Sequence, residues 1–159
     1  MQGKTSKINN RYYMEIALKE AKKAFKKDEV PVGAVIVNAE NGKIISKAHN
    51  LCEKKNNPTL HAEMIAINKA CKKLKTKVLN NCEIYISKEP CPMCATAISY
   101  ARMKHIHFAL EDEKGGAFNS AKSKSIYENN PNLFKVPFSS GVMKEESKDL
   151  IQYFFQLKR

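Results

Sequence analysis

Four side chains in two short stretches could do chemistry together. In "HAEMIAINKACKKL", which begins at His61, an imidazole and then the Glu63 carboxylate open what otherwise reads as an amphipathic helix. In "KEPCPMCATAI", Cys91 and Cys94 stand at i, i+3, so on the first turn of a helix both thiolates can reach one metal. A lone Cys-x-x-Cys pair is also compatible with half of a structural zinc site, with a redox motif, or with chance. A closed structural zinc site usually takes four protein ligands, often as two such pairs, whereas Cys52, Cys71 and Cys82 are isolated. Thioredoxin-like redox motifs belong to a different strand–helix context. With His61 as a third ligand, the fourth tetrahedral position is left for water, which is the pattern of a catalytic zinc, one ion per chain. Glu63 then stands close enough to move a proton between that water and a substrate nitrogen without being a ligand. Helix N-termini aimed at the metal would also favour the thiolate forms of the cysteines. His49, His105 and His107 are read as non-ligands, the last two alternating on one face of a strand.

The elements that must position these groups follow from periodicity and turn residues. Residues 11–27 carry apolar side chains at helical spacing, from Met14 to Phe25. "PVGAVIV" (31–37) reads as a buried strand, "NAENG" (38–42) as its hairpin turn, and "KIISKAHN" (43–50) as the returning strand. Thr59 is the expected N-cap of the helix that carries His61 and Glu63. "CEIYIS" (82–87) and "HIHFAL" (105–110) are strands, and Pro92 suits the first turn of the helix between them. "VPFSSGVM" (136–143) suggests a fifth strand, which Pro137 confines to an edge or an irregular start. The last stretch, "EESKDLIQYFFQLKR", is helical, with acids in its first turn and Lys158 and Arg159 at its end. Strands alternating with helices predict a three-layer α/β/α sandwich around a mixed, roughly five-stranded sheet.

At 159 residues the chain has the size of one domain, and without a repeat or linker the expectation is a single domain over 1–159. No run approaches the roughly 18 apolar residues of a membrane span. The opening "MQGKTSKINN" lacks the apolar core of a secretory signal, and five scattered cysteines make a poor disulfide framework, so a cytoplasmic protein is expected. The net charge of +12 fits phosphate-rich partners through counterion release, although a lysine-rich background gives the same number.

The combination His61-x-Glu63 with Pro90-Cys91-x-x-Cys94 resembles the signature of the zinc-dependent nucleoside and nucleobase deaminases. Within that superfamily the chain is similar to the bacterial tRNA-specific adenosine deaminases, from about Arg11 to Arg159. "EVPVGAVIV" (29–37) resembles their first strand, and "EPCPMC" (89–94) carries the two thiolates. Asp112, Lys114, Gly116 and Ser120 fit the family's "D-x-K-x-G" loop and its serine. Departures are Lys88 where an apolar residue is usual, the altered "GGAFNS", Gln156 where a basic residue is common, and a longer turn around Asn41.

The resemblance implies hydrolysis of adenosine to inosine at the wobble position of a tRNA anticodon, with Glu63 as the proton shuttle. It implies Asn50 as a substrate-binding residue, and a C-terminal helix laid against RNA through Phe154, Phe155, Lys158 and Arg159. It also implies a homodimer whose two subunits both touch the anticodon stem-loop. The catalytic residues would be shared by a deaminase of free bases or nucleosides, which therefore stays open. A zinc-stabilised RNA-binding module without catalysis would leave Glu63 and the missing fourth ligand without purpose.

Overall fold

Two strands that must lie flat under a helix set the frame. β1 (Gly33–Asn38) is buried along nearly its whole length, and β2 (Ile44–His49) returns antiparallel beside it. The turn between them is closed by Asn38, whose Oδ1 accepts hydrogen bonds from the backbone N–H groups of Glu40 and Asn41. Helix α1 (Gln2–Lys26) crosses β1 so closely that a Cβ at Gly33 would lie 2.0 Å from the Ala17 carbonyl oxygen. Only glycine permits that approach. The computed structural model describes residues 2–159, with side chains described from Asn10 onward except at Ser125.

The remaining order is α2 (Ala62–Leu74), β3 (Cys82–Lys88), α3 (Pro92–Tyr100), β4 (His105–Leu110), α4 (Lys124–Glu128), β5 (Phe138–Ser140) and α5 (Lys144–Lys158). The sheet runs β2-β1-β3-β4-β5. The β1 pairings with β2 and β3 are antiparallel, whereas β3–β4 and β4–β5 are parallel. β5 begins directly after Pro137 and lies on the edge, where a missing N–H is tolerated.

Alternation of side chains across the strands divides the core in two. Ala34, Ile36, Ile84, Ile86, Ile106 and Phe108 face α2 and α3. Val35, Val37, Tyr85 and Ala109 face Tyr13, Met14 and Ala17 of α1. The result is the three-layer α/β/α sandwich around a mixed five-stranded sheet that the sequence predicts. The face of α2 against the sheet is Ala62, Ala66 and Ala70, small enough to bring the helix axis close to the strands. Both α2 and α3 start at the sheet edge where the parallel strands β3 and β4 end. In open α/β sheets ligands bind at that edge.

Several boundaries differ from expectation. Helix α1 starts nine residues earlier than the apolar pattern at 11–27, and the short α4 was not foreseen. Thr59 is not the N-cap of α2: its N–H and hydroxyl both bond the Asn57 side-chain oxygen, 2.9 and 2.7 Å away. The cap position is His61, and the first helical N–H is satisfied from outside the helix, by Asn50 Oδ1 at 2.7 Å from Ala62 N. Among the described residues, no helix is long and apolar enough to cross a membrane.

Candidate active site and metal centre

Each helix that faces the other across the sheet edge spends its N-cap position on a possible ligand. His61 caps α2 and Cys91 caps α3, both with extended backbone, and neither side chain makes a capping hydrogen bond. A residue at this position projects its side chain back over the helix start, so side chains from the two helices can meet there. Pro92 at the first position of α3 removes one of those donors, as expected. Cys94, one turn on and fully buried, completes the group.

His61 Nδ1 lies 3.7 Å from Cys91 Sγ and 3.5 Å from Cys94 Sγ, and the three ligand atoms all lie within 4.8 Å of one another. Zinc bonds of ~2.3 Å to sulfur and ~2.0–2.1 Å to nitrogen at a tetrahedral angle separate S and N by about 3.6 Å. The donor set therefore fits a tetrahedral N,S,S metal site in chemistry and in spacing. The three groups share protons unevenly. Hydrogen bonding from the Cys94 thiol, and then from His61, pulls the Cys91 thiol down to about 4, while the same contact and burial push the Cys94 thiol up. The hydrogen bond to Cys91 raises His61 against the opposing effect of burial.

Glu63 lies beside this group, 3% exposed, with its pKa raised by desolvation. It stands outside the three-residue ligand cluster. The cleft over these residues holds about 240 Å³ and is also lined by Val30, Val32, Asn50, Lys88 and Asp112. Asn50 is buried, and because its Oδ1 accepts the Ala62 N–H, the amide orientation is fixed. Its Nδ2 makes no side-chain hydrogen bond among the described residues and is left as a donor at the cleft. Asn50 thus joins the start of α2 to the wall of the pocket.

Two buried carboxylates hold the rim. Glu29 accepts the N–H groups of Glu53 and Lys54 at 2.8 and 2.9 Å, tying down the loop after β2. Glu89 accepts those of Asp112, Phe118 and Asn119 and the Asn119 side-chain amide, at 2.7–3.0 Å. A Cβ on Gly116 would lie 2.0 Å from Glu89 Oε2, so glycine is required there. Asp112 in turn accepts the N–H groups of Lys114 and Gly115, and the Ser120 hydroxyl donates to the Lys114 carbonyl. The "D-x-K-x-G" segment is thus a loop folded around one buried acid. Sequence reading gave neither Glu29 nor Glu89 a role. The available signal was an acid at the border of each motif, before Val-Pro-Val and before Pro-Cys.

The C-terminal helix corrects one expectation. Phe154 is 5% exposed and packs edge-on against Phe25 of α1, so its ring is part of the interior and not of an RNA-contacting surface. Its neighbour Phe155 points the other way and lines a groove of about 810 Å³ with Arg159, Gln156 and Lys114. Lys158 forms an ion pair with Asp28 and lies over the Phe154 ring. His49 pairs with Glu20, and His107 stacks on Tyr85 and contacts Glu83, which agrees with their reading as non-ligands.

Comparison with known proteins decides the family. Residues 8–159 match the MafB19-like deaminase family. A tRNA-specific adenosine deaminase of Rickettsia typhi is 48% identical over 92% of this chain and 97% of its own length. That of Aquifex aeolicus is 41% identical over 95% and 97%. The chain belongs to the tRNA-specific adenosine deaminase family. A solved structure from work on A-to-I editing by tRNA deaminases at the wobble position superimposes on this deaminase with a TM-score of 0.80 and 36% identity. It covers 87% of this chain and 98% of its own. A guanine deaminase of Nitrosomonas europaea aligns with a TM-score of 0.75 at 19% identity, over 91% of this deaminase and 83% of its own chain, and so shares the fold.

Proposed function

We propose that the protein is a zinc-dependent hydrolase that converts adenosine to inosine at the wobble position of a tRNA anticodon. The observation that carries the mechanism is the convergence of His61, Cys91 and Cys94 within 4.8 Å beside the buried Glu63. The names and extents of the relatives support the substrate. His61, Cys91 and Cys94 would hold zinc, which when bound supplies a Lewis acid that makes water nucleophilic near neutral pH.

The proton traffic falls to Glu63. Its carboxylate accepts a proton as water attacks C6 of the adenine and delivers that proton to ring N1. A second transfer, from the new C6 hydroxyl to the amino group, breaks the C6–N bond and releases ammonia. Burial raises the pKa of Glu63, which favours its acid half of the cycle, and a carboxyl that was a ligand could not serve in both directions. Asn50, its oxygen committed to α2, offers Nδ2 to an acceptor on the base or ribose. The cleft buries Glu63 and Cys94 while leaving His61 and Cys91 partly open.

The anticodon stem-loop is the partner that the +12 charge and the groove beside α5 suit, with Phe155 as a stacking surface and Arg159 as a phosphate contact. A homodimer is the assembly proposed, and the exposed Tyr100, Ile126 and Phe134 supply apolar surface of the kind an interface covers. The test is incubation of the zinc-loaded protein with a short anticodon stem-loop carrying adenosine at the wobble position, followed by nucleoside analysis. Inosine is the expected product, and free adenosine, guanine and cytosine should be poor substrates. Efficient deamination of a free base, with the stem-loop neither bound nor edited, would replace this assignment with a nucleobase deaminase.

A further inference from the structure

The cleft over the proposed metal site has an electrostatic problem. Five of its lining residues are acids, Glu29, Glu53, Glu63, Glu89 and Asp112, and among the described residues Lys88 is the one lysine or arginine that lines it. Glu29 and Glu89 are engaged by backbone N–H donors, which offset part of their charge. Glu53 and Asp112 stand at the rim, where a polyanionic strand has to pass.

Lys88 is the last residue of β3, and its ammonium lies 3.1 Å from Asp112 Oδ2. Both residues also line the two grooves outside the cleft: the one beside α5 with Phe155 and Arg159, and a second of about 420 Å³ with Lys144 and Lys148. Lys88 therefore stands where the pocket and both grooves meet. Its side chain is 29% exposed and that of Asp112 is 21% exposed, so the pair is wet enough to exchange partners cheaply. Asp112 does not need Lys88 to hold its loop, because its other oxygen accepts the Lys114 and Gly115 N–H groups.

Resting on the proposed RNA substrate, we infer that Lys88 is a substrate-binding residue. It leaves Asp112 to contact a backbone phosphate next to the nucleotide inserted in the cleft. An ammonium is a point charge on a flexible stem, suited to swapping one oxyanion for another without a fixed geometry. The exchange neutralises the one phosphate that must sit closest to the acidic rim. An apolar residue at this position could not make the contact.

The test compares wild type, Lys88→Leu and Lys88→Arg, all loaded with zinc, in binding the same anticodon stem-loop from 50 to 200 mM salt. One single-strand phosphate contact changes the slope of log K against log salt by about 0.7, so the advantage of wild type over Lys88→Leu should shrink about 2.6-fold over that range. Lys88→Arg, which keeps the charge, should retain the wild-type slope. Asp112→Asn, which frees Lys88 while preserving the loop acceptor, should tighten binding more in wild type than in the Lys88→Leu background. A purely structural ion pair would instead lower the melting temperature of Lys88→Leu and of Asp112→Asn and leave every slope alone, which overturns the inference. If wild type edits the stem-loop and Lys88→Leu has the wild-type slope, this contact alone is wrong. If wild type neither binds nor edits it, the substrate assignment fails and this contact fails with it.

Discussion

Replacing Glu89 by glutamine should lower the melting temperature by roughly 6–12 °C, although the side chain keeps its shape. The magnitude follows from the hydrogen bonds. Oε1 accepts Asp112 N at 3.0 Å and Asn119 Nδ2 at 2.7 Å, and Oε2 accepts Phe118 N at 2.9 Å and Asn119 N at 3.0 Å. Whichever oxygen becomes an amide nitrogen then points two donors at two donors, so half of the bonds are lost with no acceptor to replace them. Each orphaned buried donor costs about 1–3 kcal/mol, and the two surviving bonds lose the help of a charge. A total near 3 kcal/mol, at about 2–4 °C per kcal/mol for a chain of this size, gives the range above. Gly116→Ala attacks the same joint from the other side, since its Cβ would meet Glu89 Oε2 at 2.0 Å and the Asp112 carbonyl at 2.6 Å. Thermal unfolding of zinc-loaded protein followed by circular dichroism is the assay. If both variants melt within about 2 °C of wild type, Glu89 does not hold the 112–119 loop in the way described.

Elemental analysis should give about one zinc per chain in wild type and almost none in the Cys91→Ser, Cys94→Ser double variant, and full retention would dissolve the metal site. The pKa of Glu83 is lowered, chiefly by its hydrogen bond from His107. A carboxyl whose folded pKa lies below its unfolded value adds stability above the unfolded value, and that contribution disappears as pH falls through the folded value. The melting difference between wild type and Glu83→Gln should therefore be present at pH 6, begin to shrink near the ordinary value of 4.5 and be lost as the pH falls through the lower folded value. A difference that grows on acidification would refute the pairing. Arg159→Ala should flatten the salt dependence of stem-loop binding by about 0.7, and Lys158→Ala by less because Asp28 already holds that ammonium; the reverse order would misplace the groove.

What could be read from the sequence was local, and what could not was made by contacts between distant segments. The spacing of Cys91 and Cys94 and the helix starts at His61 and Pro92 are short-range patterns, so the cluster of His61, Cys91 and Cys94 could be anticipated before any strand was paired. The short apolar run "HIHFAL" gave β4 its observed bounds, and its burial on both faces fits an inner strand between β3 and β5. Thr59 has the right residue type for a cap, but the capping oxygen comes from Asn50, and nothing local distinguishes the two. Phe154 and Phe155 are adjacent letters whose fates divide on which one meets Phe25 of α1. Glu29 and Glu89 look like surface acids until the loops that wrap them are in place. Lys88 stood out as a departure from similar sequences, but its place at the meeting of cleft and grooves required the fold.

The central claim is that Glu63 moves protons and does not hold the metal. Glu63→Ala should keep about one zinc per chain and the wild-type fold. In a single-turnover assay on the wobble-adenosine stem-loop it should produce inosine at least ~10²-fold more slowly than wild type. Inosine formed at the wild-type rate by Glu63→Ala, or loss of its zinc together with its activity, would contradict the account.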